Sequence, residues 1–130
     1  MEYLSFIQSE GVNELKQLIE KSLSEISSFK DVSMLPKEKG VYFIYDCESL
    51  VYIGEAGRGE KQTIRERCMQ YLQQGTGRKF REKLMMDKEL DVQESIEYIK
   101  EKCTIRYIIE NKHKKLEHLA IGIFNTKYND

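Results

Sequence analysis

A chain of 130 residues, 40% hydrophobic and 33% charged, has the balance of one globular domain with a single modest core. Its apolar runs are only a few residues long, which excludes a membrane-spanning helix, and no charged-then-apolar leader opens it, so a cytoplasmic protein with no membrane partner is expected. The net charge of −1 gives no ground by itself for a nucleic-acid partner, and Cys47, Cys68 and Cys103, far apart and without a Cys-x-x-Cys pair, argue against a zinc site and are expected as reduced, buried fillers.

The first expected helix covers residues 12–29, where Val12, Leu15, Leu18, Ile19, Leu23 and Ile26 recur at helical spacing. Tyr3, Leu4, Phe6 and Ile7 before it fit a separate turn of helix. Pro36, in the stretch Leu35 to Gly40, marks a stop. Val41-Tyr42-Phe43-Ile44-Tyr45 is short, β-branched and aromatic, so it predicts a buried strand. Leu50-Val51-Tyr52-Ile53 predicts a second strand, and the tight link Asp46 to Ser49 makes the two an antiparallel hairpin.

Gly57-Arg58-Gly59 follows as a loop. Thr63 is a candidate N-cap for a helix to about residue 74, with Ile64, Cys68, Tyr71 and Leu72 as its apolar face and Gly75 and Gly77 as its stop. Phe80, Leu84 and Met85 predict a second short helix, and Ile96 and Ile99 a third. Residues 103–109 have strand composition. The last helix runs from about Lys114, with Leu116, Leu119, Ala120, Ile123 and Phe124 as its stripe. The order predicts an α+β domain with a small sheet over residues 40–130, preceded by a helical extension over residues 1–39. The extension has a net charge of −2, and its expected role is packing or homodimerisation, not DNA reading.

Two short motifs carry the chemistry. Gly40-Val41-Tyr42 and Tyr52-Ile53-Gly54 place two tyrosines on neighbouring antiparallel strands. Further on, Ile64-Arg65-Glu66-Arg67 is followed by Tyr71, and Leu116-Glu117-His118 is followed, twelve residues after Glu117, by Asn129. At about 100° per residue, Arg67 lies at the edge of its helix's apolar face, where its stem packs and its guanidinium stays free.

Together and in this order, these pieces resemble the GIY-YIG nuclease superfamily, including the N-terminal nuclease domain of bacterial excision repair and the catalytic domains of homing endonucleases. The likeness covers residues 40–129. It implies an α/β sandwich around a three-stranded antiparallel sheet, and a metal-dependent endonuclease that hydrolyses DNA phosphodiester bonds. The implied catalytic residues are Tyr42, Tyr52, Arg67 and Glu117. Glu117 would hold Mg²⁺ (or Mn²⁺), and Arg67, chosen over Arg65 by the pattern, would brace the phosphate with two parallel hydrogen bonds. Tyr42 is the implied activator of water, and Tyr52 would position water or phosphate. Gly54, Tyr71 and Asn129 are implied supports. The hydroxyls of Tyr42 and Tyr52 are then expected in one concavity with Arg67 and Glu117, with Glu117 on Tyr42's side of the sheet. One departure stands out: an acidic residue, Glu55, follows Y-I-G beside the place for an anionic substrate.

Charge distribution adds a second strand of argument. Residues 58–83 hold eight basic and three acidic side chains, a net of +5, and residues 84–101 hold two basic and six acidic, a net of −4. Arg58, Lys61, Arg65, Arg78, Lys79 and Arg81 are accordingly the expected contacts to DNA phosphates. His113 and His118 are expected at the surface. The competing function classes are a catalytically idle module of the same fold that binds nucleic acid, and a protein-interaction domain using the N-terminal helix. Retention of Tyr42, Tyr52, Arg67, Glu117 and Asn129 together favours the enzyme.

Overall fold

The computed structural model describes residues 10–59, 61–75 and 79–129. They form helix α1 (Glu10–Ser22), a two-residue strand β1 (Ser27–Ser28), a 3-10 segment (Phe29–Met34), strands β2 (Gly40–Asp46) and β3 (Ser49–Ala56), helices α2 (Ile64–Gln70), α3 (Lys79–Lys88) and α4 (Val92–Lys102), strand β4 (Cys103–Ile109) and helix α5 (His113–Ile123). The expected turn at residues 3–7, the stop at Gly77 and the basic residue Arg78 lie outside the described residues. Among the described residues, no helix is long and apolar enough to cross a membrane.

The three expected strands form one antiparallel sheet, but the sheet has four strands, in the order β1-β4-β2-β3. The fourth is only Ser27–Ser28, paired with Ile105 and Thr104. Two serines carry no strand pattern, so sequence alone gave no sign of it. The same segment explains why α1 ends at Ser22 and not at residue 29. Ser24 takes over the open edge of β4: its N–H donates to the Tyr107 carbonyl at 2.9 Å and its Oγ accepts from the Tyr107 N–H at 2.9 Å. Arg106 Nε donates to the Ser24 carbonyl at 2.8 Å. These long-range bonds take the chain out of the helix, and Ile26, which continued the helical periodicity, is left exposed.

β2 lies between β4 and β3, so both its edges are paired, and side chains on both its faces are buried. Tyr42 and Ile44 face a core built with Phe29, Val32 and Leu35, Ile64 and Cys68 of α2, Tyr71, and Phe80 and Leu84 of α3. Val41 and Phe43 face the other side, with Ile53, Ile19 of α1, and Ala120 and Phe124 at the end of α5. Helices therefore cover both faces. Phe29, Val32 and Leu35 belong to the same core as the sheet.

Two local details correct the sequence reading. Cys47 is exposed, at the hairpin turn, with φ 58°, unlike the buried Cys68 and Cys103. Helix α2 begins as expected, with Thr63 accepting from the Glu66 N–H at 3.2 Å, but it ends at Gln70. Beyond it, Arg81 gathers the carbonyls of Tyr71, Gln73 and Gly75. A guanidinium, with five donors, can hold several carbonyls of the turn that follows the helix at once.

A candidate active site at the edge of the sheet

Position 54 has room for glycine only. Tyr42 is paired with Gly54 across the hairpin, and a Cβ there would lie 2.3 Å from the Tyr42 ring and hydroxyl. Gly54→Ala must push a fully buried ring into a filled core. It is expected to cost roughly 1–3 kcal/mol, the usual range for overpacking. A urea midpoint unchanged from wild type would show that the ring is not confined there.

Behind Gly54 the tyrosines are layered. The Tyr42 hydroxyl shares a 2.8 Å hydrogen bond with that of Tyr71, and both side chains are buried. Burial, the largest influence, raises the Tyr42 pKa, and the Arg67 charge offsets this only in part. Tyr52 lies nearer the edge, its ring 6.4 Å from that of Tyr42 and 5.6 Å from Phe80. The register of β2 with β3 shifts between Ile44 and Tyr45, so Val51 is an extra residue in β3, and Val51 and Tyr52 both join the core on Tyr42's side. The bulge thus sets the aim of Tyr52. Burial, then Glu117, raise its pKa, while Arg67 and Tyr71 lower it.

Tyr52, Arg67 and Glu117 line one cleft of about 190 Å³ together with Glu55, Arg58 and Gln62. Burial works against the Arg67 charge, but the neighbouring Tyr42, Tyr71 and Tyr52 outweigh it and the net shift is upward, so the guanidinium is a permanent cation. Its Nη1 has only a long contact, 3.4 Å, to Gln70 Oε1. Its Nε is buried and, among the described residues, has no hydrogen-bond partner. An unmet buried donor costs about 1–3 kcal/mol, so such groups are rare without a use.

Glu117 comes from α5, on the opposite face of the sheet from Tyr42. The expectation that it lies on Tyr42's side is therefore not met, and Tyr42 does not open into the cleft. The cleft straddles the free edge of β3, with Tyr52 and Arg67 on one side and Glu117 on the other. The Glu117 pKa is raised, chiefly by burial and next by Glu55; His118, Arg58 and the Glu55 backbone N–H pull the other way. Its carboxylate has room for a further positive partner, since His118 is 3.9 Å away and mostly exposed.

Glu55 has partners of its own. His113 Nδ1 lies 2.9 Å from Oε2 and Arg58 Nε lies 3.4 Å from Oε1. Burial raises the Glu55 pKa, but these two bonds outweigh it, and the net shift is downward. Glu55 is therefore held as a carboxylate with a partner on each oxygen. His113 is only 17% exposed, a correction to its expected surface position. The helical spacing of His113 and Glu117 was the available signal, since one turn apart they share a face of α5.

The remaining expected residues are spread out. Asn129 reads the backbone of β3: its Oδ1 accepts from the Ile53 N–H and its Nδ2 donates to the Ile53 carbonyl, both at 2.8 Å. Lys61 lies in an adjoining shallow groove with Arg58 and Gln62. Arg65 is tied to the Leu35 carbonyl at 2.6 Å and Lys79 to that of Asn129 at 2.6 Å. Arg81 is 2% exposed, so it is a buried brace and offers no surface for a phosphate. Among the described residues, no group of three or more His, Cys, Asp or Glu side chains is placed to hold a metal. Comparisons with protein-family models, with curated proteins and with solved structures find no match.

Proposed function

We propose that this protein is a metal-dependent endonuclease of the GIY-YIG type that hydrolyses DNA phosphodiester bonds. The observation that carries the reading is the cleft itself, where a half-buried carboxylate with a raised pKa meets a guanidinium with an unused buried N–H. A phosphate brings oxygens to the guanidinium, and a hard cation bound at the carboxylate relieves its repulsion from Glu55. The motifs Gly40-Val41-Tyr42, Tyr52-Ile53-Gly54, Arg67, Glu117 and Asn129 support the same reading.

Glu117 would hold Mg²⁺ or Mn²⁺, which suits a single oxygen-donor carboxylate because such ions keep most of their water shell. When bound, the cation polarises phosphoryl oxygens and makes water a better nucleophile at neutral pH. Arg67 braces the phosphate and offsets charge that builds on it. The Tyr52 hydroxyl, at the cleft wall, orients water or a phosphate oxygen. Tyr42, bonded to Tyr71 and shut away from the cleft, is assigned a supporting part in the packing behind it.

The test is nicking of supercoiled plasmid by the purified chain in Mg²⁺, with and without excess chelator. Nicked circles should appear only with free metal. Intact plasmid in both Mg²⁺ and Mn²⁺, or cutting that survives the chelator, overturns the reading. The electrostatic expectation is also narrower than the basic block implied. Among the described residues, Arg58, Lys61 and Arg67 are the basic side chains that line the cleft and its adjoining groove, so about 2–3 phosphates should be neutralised, with log K against log[salt] sloping by roughly −2 to −3. A salt titration of duplex binding measures it. A slope near zero contradicts this placement.

A further inference from the structure

We propose that His113, acting through Glu55, is a positioning residue that sets where Glu117 stands in the cleft; this rests on the nuclease reading above. Three features meet at His113. It is the first residue of α5, and Glu117 follows one turn later on the same helix face. Its Nδ1 is 2.9 Å from Oε2 of Glu55, near the end of β3, and that carboxylate is itself a wall of the cleft. Its other nitrogen, Nε2, lies against Gly57, where a Cβ would be only 2.3 Å away and where φ is +149°. The imidazole is therefore confined on both sides. A carboxylate only accepts hydrogen bonds, so the Nδ1 proton is the one donated.

The bond does two things at once. It fixes the register of α5 against β3, and hence the place of Glu117 relative to Tyr52 and Arg67. It also engages one oxygen of Glu55, which otherwise would stand open beside Glu117. In metal sites, hydrogen bonds behind a ligand commonly change metal affinity by about 10–100-fold. Here the donor's location along the ring, and not the ring's bulk, is what the arrangement uses.

Two conservative variants separate these. In His113→Asn the amide nitrogen falls near the place of Nδ1; in His113→Gln it falls near that of Nε2, facing Gly57. Both are neutral and polar. Mn²⁺ binding to the full chain, read by electron paramagnetic resonance, is the measure, with Glu117→Gln as the control for the site. His113→Asn should bind Mn²⁺ within about threefold of wild type, and His113→Gln about tenfold more weakly. Equal affinities for the two variants, or no Mn²⁺ binding by wild type that depends on Glu117, overturns the proposal. The nuclease reading fails separately: the expected order of Mn²⁺ affinities with no plasmid cut leaves His113 as a positioning residue and removes the enzyme. Cutting by wild type, with both variants binding and cutting alike, does the reverse.

Discussion

Glu117→Gln is expected to lower the rate of DNA cutting by ~10²–10³ while DNA binding persists or tightens. The amide keeps the side chain's shape and its acceptor oxygen but removes the charge that a hard cation needs. It also removes a negative charge from the cleft proposed to take a phosphate. A second effect follows from the raised Glu117 pKa. A carboxyl whose folded pKa lies above its unfolded one favours folding at low pH and loses that contribution as pH rises through the folded value. At neutral pH the ionised side chain is thus a burden on the fold. Glu117→Gln should melt at a higher temperature than wild type at pH 7, and the gap should shrink toward pH 4. Labelled duplex titrated in Ca²⁺ gives binding, and the same duplex in Mg²⁺ gives cutting. A Glu117→Gln protein that cuts like wild type removes the carboxylate from the mechanism.

Arg67→Ala should lose cutting to a similar extent, ~10²–10³, but with weaker DNA binding, because here the lost group attracts the phosphate. The contrast between the two variants is the informative quantity. Both lose rate, and only one loses affinity. Arg67→Lys should rescue little of the rate. A lysine carries the charge, but it lacks the planar fork that can use the orphaned Nε and a terminal nitrogen together. Near-complete rescue by lysine would mean that the site needs charge alone and that the buried Nε has no part in it. Surface charges such as Glu82 or Lys88 should change the rate little.

Much of the fold was legible because its strands are runs of β-branched and aromatic residues and its helix α2 has a real cap at Thr63. Binary pattern also placed β4 and α5 within a residue or so. What escaped were features made by distant backbone. Ser27 and Ser28 become a strand only because β4 offers an open edge. Ile26 fits a helix wheel perfectly well, yet a better set of backbone bonds at Ser24 takes the chain away first. The site shows the same division. Tyr52, Arg67 and Glu117 were readable as chemical types at the spacing that prompted the resemblance, and they share one cleft. The division of labour between the tyrosines was not readable, since alternation puts Tyr42 inward but says nothing of a bulge at Val51 that brings Tyr52 to the edge. Arg81 looked like its basic neighbours, and no local signal tells a buried brace from a surface charge. Glu55 stood out as an acid in an odd place, and its explanation was a histidine 58 residues away.

The free edge of β3 has one more consequence. Its backbone groups are met by late residues: Tyr128 donates to the Val51 carbonyl, and Asn129 closes on Ile53 from 76 positions along the chain. The strand that carries Tyr52 is therefore finished by some of the longest-range bonds among the described residues. Contacts of such separation form late in folding, because the intervening chain must be ordered first. On the ribosome, the hairpin bearing Tyr42 and Tyr52 emerges long before Glu117 and Asn129 can reach it. A growing chain thus carries Tyr52 without Glu117 across the cleft from it, and the lining of the cleft is complete only once α5 has been made.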